Sequence, residues 1–365
     1  MLRVDYNNFS DVITAVRRQY PATHQLQIAF NDFVVDVRIN NKALQKKLLH
    51  YFAEFIVNSP KSIPHSTVTV HDAPPLNFPY NYKRDIPKSP HKPIKLEWVE
   101  LGEGRIVRHC KTNIHYLLNE KENCIVGPCF DQKNKVVNFI NSRFIKHQVD
   151  RDYLLGHAAG VNANGRGIII SGNSGAGKST LALHLVTCGA NFVSNDRVVI
   201  NNKANAHFFG TLQHPRINPG TVLNNPNLKN ILTPEEHRKF SRIDTEALWQ
   251  LEYKYDALIP ECFGPARFVP KAPLSAVAIL DWRRCDAPMS IGCLTAQEAS
   301  HHLSNIIKKN DVLYLPRNKN YTVPTIHDYT AALANTPIFI IRGGVDFSGA
   351  THKLMNFLRT GSTGT

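Results

Sequence analysis

The 365-residue sequence predicts an α/β protein: a strand-rich α+β domain over residues 1–150, then an α/β domain over 151–365 built around a phosphate-binding loop. Three observations predict it. Short alternating or β-branched runs crowd the first 150 residues. An apolar run, a glycine-rich octapeptide and a helical stretch follow one another between residues 167 and 186. Beyond them, apolar runs of strand length alternate with helical spacings.

In the first domain, residues 25–30 and 33–39 are alternating or β-branched runs divided by Asn31-Asp32, a composition suited to a hairpin turn. Leu44, Leu48, Tyr51, Phe52, Phe55 and Ile56 recur at helical spacing and predict an amphipathic helix. Residues 73–93 carry Pro74, Pro75, Pro79, Pro87, Pro90 and Pro93, too many for regular structure, and read as an extended connection. Strand patterns resume at 95–99, 105–110, 113–118 and 124–126. A helix follows, with Val136, Val137, Phe139, Ile140, Phe144, Ile145 and Val149 on a broad apolar face.

The second domain opens with Gly172-Asn173-Ser174-Gly175-Ala176-Gly177-Lys178-Ser179. This fits G-x-x-x-x-G-K-[ST], a loop whose backbone N–H groups cradle a triphosphate while its Lys reaches the β/γ-phosphates and its hydroxyl binds Mg²⁺. The context agrees: Gly167, Ile168, Ile169, Ile170 and Ser171 suit a buried strand, and Thr180, Leu181, Ala182, Leu183, His184, Leu185 and Val186 suit a helix. Gly172, Gly175 and Gly177 let the chain take positive φ and wrap closely around phosphate oxygens. The helix starting near Lys178 points unpaired N–H groups at the anion. Residues 172–180, Thr180 included, are therefore expected to bind ATP with Mg²⁺. Lys178 supplies a charge for the transferring phosphate, and Ser179 a metal ligand.

Downstream, 191–194 reads as a strand that 197–200 continues beyond Asn195-Asp196. Thr233-Pro234-Glu235-Glu236 has a capping Thr, Pro at the first helical position and Glu at the third, a helix start. Helices are expected at 245–255, 296–307, 325–334 and 350–358, strands at 274–282 and 338–341, and disorder at 361–365.

Composition sets bounds on function. With 42% hydrophobic and 20% charged residues the chain is globular. No stretch approaches the roughly 20 apolar residues of a membrane span, and Met1 to Asn8 hold no signal-peptide core, so a cytoplasmic protein without membrane contact is expected. The seven cysteines are odd in number and lack a C-x-x-C pair, which argues against a disulfide framework or a zinc site. The formal charge of +14 divides evenly, +7 falling within residues 1–150. It reads as a solvated basic surface or as a field that steers an anionic partner. No zinc-finger or RNA-recognition signature accompanies it.

Asn195-Asp196 arrives after only one short helix and one short strand beyond the loop, a compactness that places the acid-bearing strand beside the loop's own strand. The arrangement resembles the HPr kinase/phosphorylase and phosphoenolpyruvate carboxykinase group, in which a pair of acids closes the strand after the loop's helix. His157, in Leu155-Gly156-His157-Ala158-Ala159-Gly160, also resembles HPr kinases, and this likeness covers about residues 155–200. Over nearly the whole chain the sequence looks like the group called HprK-related kinase B. The matching stretches are Val126-Gly127-Pro128-Cys129, Val137 to Ile145, Gly156 to Gly160, Phe192 to Arg197, Pro215 to Thr221, Phe263 to Phe268 and Gly343 to Phe347. The resemblance implies a kinase-type site in an HPr-kinase/phosphoenolpyruvate-carboxykinase-like P-loop domain. The sequence departs from authentic HPr kinase where Asn195 replaces the first acid, because an amide takes up no proton. The family's downstream phosphate and acceptor signature has no clear copy either, so the resemblance leaves both phosphorolysis and HPr as acceptor open.

The expected catalytic residues are Asp196, His157, Lys178 and Arg197. Asp196 and Ser179 serve Mg²⁺, directly or through water. The proton from the acceptor goes to Asp196, to His157 or to the phosphate itself. Arg197 either neutralises transferring charge or pairs with a carboxylate. Arg216 and Arg267 are candidate contacts to phosphate or acceptor, since guanidinium binds phosphate bidentately. The leading expectation is an ATP-dependent kinase moving the γ-phosphoryl group to a hydroxyl on a protein serine or a small molecule. Beside it stand an ATP-binding regulatory or scaffold module, motivated by Asn195, and an RNA-binding kinase, motivated by the charge. The sequence also leaves room for a homo-oligomer.

Overall fold

The computed structural model describes residues 6–57, 63–87, 93–201, 206–251, 253–318 and 320–363. Pro90, and the last two residues of the 361–365 segment expected to be disordered, lie outside them. The protein is a mixed α/β chain with several sheets. It separates into two compact units, Met1–Asp150 with Asn310–Tyr321, and Arg151–Lys309 with Thr322–Thr365.

The first unit is an eight-stranded sheet in the order β1-β2-β3-β8-β7-β6-β5-β4. Its strands are β1 (His24–Phe30), β2 (Phe33–Ile39), β3 (Ser66–Asp72), β4 (Lys83–Arg84), β5 (Leu96–Leu101), β6 (Gly104–His109), β7 (Ile114–Leu118) and β8 (Asn123–Gly127). β1 and β2 form the expected hairpin, with Phe30 opposite Phe33 and Asn31 at φ 55°. Helix α1 (Phe9–Gln19) was not expected, although Phe9, Val12, Ile13 and Val16 sit at helical spacing; these side chains pack with Ile106, Leu117 and Val126. α2 (Lys42–Tyr51) is shorter than expected, because Phe52 caps it and Ile56 bridges to Ile28 of β1. On α3 (Lys133–Val149), Phe139 meets Tyr116 of β7, and Phe144 meets Phe30 and Phe33. Polar contacts tie Asn310–Tyr321 to this unit: Arg105 Nη1 donates to Val312 O at 2.9 Å, and Tyr314 Oη to Asp150 Oδ1 at 3.0 Å.

The second unit holds β9 (Leu154–Gly156), β10 (Ala159–Ala163), β11 (Arg166–Gly172), α4 (Lys178–Thr187), β12 (Asn191–Ser194), β13 (Val198–Asn201), β14 (His207–Phe209), β15 (Arg216–Ile217) and α5 (Pro219–Leu223). After these come α6 (Pro234–Phe240), α7 (Thr245–Gln250), β16 (Tyr255–Asp256), α8 (Ile259–Phe263), β17 (Lys271–Pro273), β18 (Ala276–Leu280), β19 (Ser290–Leu294), α9 (Ser300–Leu303), α10 (Ile326–Ala332), β20 (Ile338–Arg342) and α11 (Phe347–Thr360). A six-stranded sheet runs β12-β10-β11-β18-β20-β19, parallel where β18 meets β11 and β20; a four-stranded sheet runs β17-β14-β13-β9. Ile169, Val277, Ile279 and Ile340 of the first sheet bury against Val198, Ile200 and Phe208 of the second and against Leu303 and Tyr329 of α9 and α10. Fully burying each large side chain contributes about 2 kcal/mol.

Four expectations about this unit need correction. The strand leading to Asp196 does not lie beside the loop's strand. β10 folds back on β11 through the Asn164-Gly165 turn and takes that edge, β18 takes the other, and β12 pairs with β10. Nor do 191–194 and 197–200 form one strand, since the chain crosses from the six-stranded to the four-stranded sheet at Asn195-Asp196. Finally, the helix expected over 245–255 stops at Gln250, where Leu251 turns extended; Tyr255 and Asp256 instead pair with Ile217 and Arg216. The helix expected over 296–307 is likewise reduced to Ser300–Leu303.

Candidate active site

The glycine-rich loop joins the buried end of β11 to the start of α4. Ile168, Ile169 and Ile170 are wholly buried, which fixes the strand, and Gly177 caps α4 at φ 90°. Gly172 also has positive φ, and a Cβ there would stand 2.8 Å from Leu280 O of the neighbouring strand. Glycine is required at that position by both backbone and space. Trp282 Nε1 donates to Ala176 O at 2.8 Å and braces the loop, while Ser171 Oγ donates to His157 O at 3.1 Å.

Lys178 is buried and folds back over the loop, its Nζ donating to Gly172 O at 2.9 Å and Asn173 O at 3.0 Å. Burial lowers its pKa and the Lys308 charge adds to this, against the opposing pull of Asp196. His157 comes from the turn between β9 and β10, held by its N–H on Ile306 O at 2.7 Å. Its Nε2 is 3.4 Å from Asp196 Oδ1, and Arg197 Nε is 3.6 Å from Asp196 Oδ2. Burial would raise the Asp196 pKa. The hydrogen bond from His157 and the Arg197 charge outweigh it, with Lys308 assisting, and hold the carboxyl well below its usual range. The side chain keeps 53% of its surface exposed, so solvent screens part of this.

Lys178, Ser179, Thr180, His157, Asn195 and Asp196 line a single cleft of ≈ 350 Å³. Ser174, Gly175, Gly177 and Arg216 also face it, the Arg216 guanidinium lying 3.3 Å from Asp256 across β15 and β16. Gly172, Asn173 and Ala176 are not among the residues lining this cleft. Arg267 is not brought into the cleft: its Nη2 donates to Val186 O at 2.9 Å and Ala190 O at 2.7 Å, capping the end of α4. Arg197 stands behind Asp196.

Sequence reasoning missed several residues of the cleft. Thr221 accepts or donates a 2.9 Å hydrogen bond with Thr180, and His214, Asn218, Trp249 and Lys254 line the wall. His214, Asn218 and Thr221 lie in or beside the Pro215 to Thr221 stretch that carried the resemblance. Trp249 and Lys254 had no local signal.

The donors suit a magnesium ion. Ser179 and Asp196 offer hard oxygens, and the buried Oδ1 atoms of Asn195 and Asn218, both in the cleft, have no hydrogen-bond partner among the described residues. Such orphaned acceptors are what a hydrated cation with its water shell would satisfy. No group of three His, Cys, Asp or Glu side chains among the described residues is placed to hold a metal unaided. Phosphate oxygens would complete the shell. No helix among the described residues is long and apolar enough to cross a membrane.

Residues 152–218, which carry this loop, His157, Asp196 and Arg216, match the family model described as the HPr Serine kinase C-terminal domain. The HPr kinase/phosphorylase of Mycoplasma mycoides subsp. mycoides SC is 45% identical over 49 residues, which is 13% of this chain and 16% of that protein. That of Prosthecochloris aestuarii is 33% identical over 98 residues, 27% of this chain and 22% of that protein. The chain thus spans about a fifth or less of the length of these curated relatives. Among solved structures, the Hpr(Ser) kinase/phosphatase from Coxiella burnetii covers 57% of this chain and 95% of that one at 14% identity. The TM-score of 0.28 is too low to carry an argument about the fold. The family model over residues 152–218 and the two sequence relatives thus show that this chain is similar to HPr kinases over part of its length.

Proposed function

We propose that the protein is a P-loop phosphotransferase of HPr-kinase-like type that moves the γ-phosphoryl group of ATP to a hydroxyl acceptor. Residues 1–150 would serve as its α+β N-terminal domain and 151–365 as its kinase domain. The carrying observation is that Asp196, held ionised between His157 and Arg197, lines the same cleft as Lys178 and Ser179. In this reading residues 172–180 hold the triphosphate, and Ser179 with Asp196 holds Mg²⁺, whose charge would neutralise phosphate oxygens. Phosphoryl transfer depends on positioning and charge neutralisation more than on full deprotonation of the nucleophile. Asn195 therefore does not bar it. His157 or the phosphate itself receives the acceptor proton, since Asp196 is held too acidic to serve as a base, and Arg216 with Lys254 gives the acceptor end of the cleft a positive wall. The acceptor is a protein serine or a small molecule, met in the cytoplasm.

Incubation with Mg²⁺ and γ-labelled ATP, followed by mass spectrometry of labelled lysate components against Lys178→Ala, tests this directly. Label on a component with wild type and none with the variant is expected. ATP binding without any labelled acceptor would sink it. That outcome favours a second reading, a nucleotide-responsive regulatory module, which Asn195 in place of an acid supports.

A further inference from the structure

A second cleft, of ≈ 680 Å³, opens against the same loop. It shares Gly175, Gly177 and Trp249 with the first, so the loop and one tryptophan form the boundary between them. Its character differs. The Phe347 ring lies over Gly177, so close that a Cβ there would stand 2.6 Å from the ring. Trp249 stacks on Phe347 at 6.1 Å and 24°, and Trp282 meets Phe347 edge-on at 5.1 Å. The Arg284 guanidinium stands 5.8 Å from the Trp249 ring, and Thr245 and Glu246 line the cleft with exposed polar groups.

These rings come from α7, from the segment after β18 and from the start of α11. Trp249 and Phe347 are only partly buried, so they are not simply core. A phosphate loop fixes one end of its ligand. The remainder has to leave along a surface that adjoins the loop and lies away from the reacting phosphate. Asp196, His157 and Arg216 occupy the first cleft, where the acceptor hydroxyl must arrive. The second cleft holds none of them. It offers an aromatic platform with a cationic edge, the chemistry on which nucleobases stack with little sequence preference.

We propose that this cleft is the nucleoside subsite: the base stacks on Trp249 beside Phe347 while the phosphates lie on residues 172–180. Thr245 and Glu246 stand where the base or sugar presents its polar edge. The proposal rests on the phosphate-loop reading above. It adds that the donor is recognised by its nucleoside as well as by its phosphates.

The test compares binding of Mg-ATP and of Mg-tripolyphosphate, which has no nucleoside, by calorimetry. Trp249→Ala is expected to weaken ATP on the order of tenfold while leaving tripolyphosphate unchanged. Trp249→Phe, which keeps a stacking ring, should retain most of the ATP affinity, and guards against a merely misfolded alanine variant. Equal loss for both ligands in Trp249→Ala, or no loss for either, overturns the subsite. Lys178→Ala separates the two readings, since it should weaken both ligands. If it weakens neither, or if wild type binds neither, the phosphate-loop reading fails and takes this proposal with it. A further readout uses Trp98→Phe, which leaves Trp249 and Trp282 as the two emitters. ATP should quench that emission and tripolyphosphate should not; equal quenching by both counts against the subsite.

Discussion

His157 Nε2 lies 3.4 Å from one carboxylate oxygen of Asp196, and Arg197 Nε lies 3.6 Å from the other. Two donors from different segments thus converge on one acid at the crossing between the six-stranded and four-stranded sheets. Since these contacts outweigh the burial that would neutralise it, the carboxyl stays ionised well below its ordinary range. Asp196→Asn removes that charge and should lower turnover on the order of 10²-fold, as loss of one preorganised electrostatic group does. Asn195→Asp leaves Asp196 in place and should change turnover far less. Steady-state kinetics on both variants checks the ranking, and equal activities would put the chemistry elsewhere.

Lys178 is held by two backbone carbonyls and pays for burial of its ammonium with a lowered pKa. A neutral side chain of similar length relieves that cost. Lys178→Met should abolish nucleotide turnover yet unfold at no lower urea concentration than wild type. A destabilised variant would mean that the lysine serves the loop's structure instead.

Gly172 and Gly175 both have positive φ, but only Gly172 is crowded, by Leu280 O of the parallel neighbour β18. A Cβ at Gly175 meets nothing within 4 Å. Gly175→Ala should then cost the backbone term alone, about 1–2 kcal/mol. Gly172→Ala adds overpacking against a backbone atom that cannot swing aside, a further ~1–3 kcal/mol. Urea unfolding of the two variants measures the difference.

The loop was legible because its information is local. Residue type, glycine placement and the flanking strand and helix lie within about twenty consecutive residues. That His157 and Asp196 belong to one site was legible only through resemblance, and their direct contact was not read at all, since the two are brought together by the pairing of β9 with β13 and of β10 with β12. The intervening β10 shows the limit: sequence proximity of Asp196 to the loop suggested adjacent strands, but a tight hairpin had already taken that edge. Tyr255 shared a helical face with Leu248 and Leu251 in the sequence, yet the open edge of β15 claimed it. Trp249, Trp282 and Phe347 meet only through tertiary packing, so no window of sequence contains them together. α1 was different: its apolar spacing was present in Phe9, Val12, Ile13 and Val16 and was not used.

His115 is wholly buried in the first unit, edge-on to Phe78 at 4.7 Å. Burial, with the Arg108 charge, pushes its pKa down to about 3. In the unfolded chain the value returns to about 6.5. Between these limits the unfolded state binds the extra proton, so stability falls as pH falls through the window, by at most ~1.4 kcal/mol per pH unit. His71, also lowered by burial, adds to the trend. His115→Phe should shrink the drop in urea midpoint between about pH 7 and about pH 5. An unchanged drop would assign acid sensitivity to other groups.

Arg216 and Arg267 entered as equivalent candidates, and their surroundings separate them. Arg267 spends its guanidinium on the carbonyls of Val186, in the last turn of α4, and Ala190, three residues beyond the helix. Arg216 faces the cleft and is oriented by Asp256. Arg267→Ala should cost about 1–3 kcal/mol of stability, because charge-assisted bonds to partly buried carbonyls are lost, while KM and kcat at low temperature stay near wild type. Arg216→Ala should leave the urea midpoint almost unchanged and raise KM for the acceptor, since only one half-exposed ion pair is lost from the fold. Loss of stability in Arg216→Ala with intact kinetics would exchange the two roles and remove Arg216 from the acceptor wall.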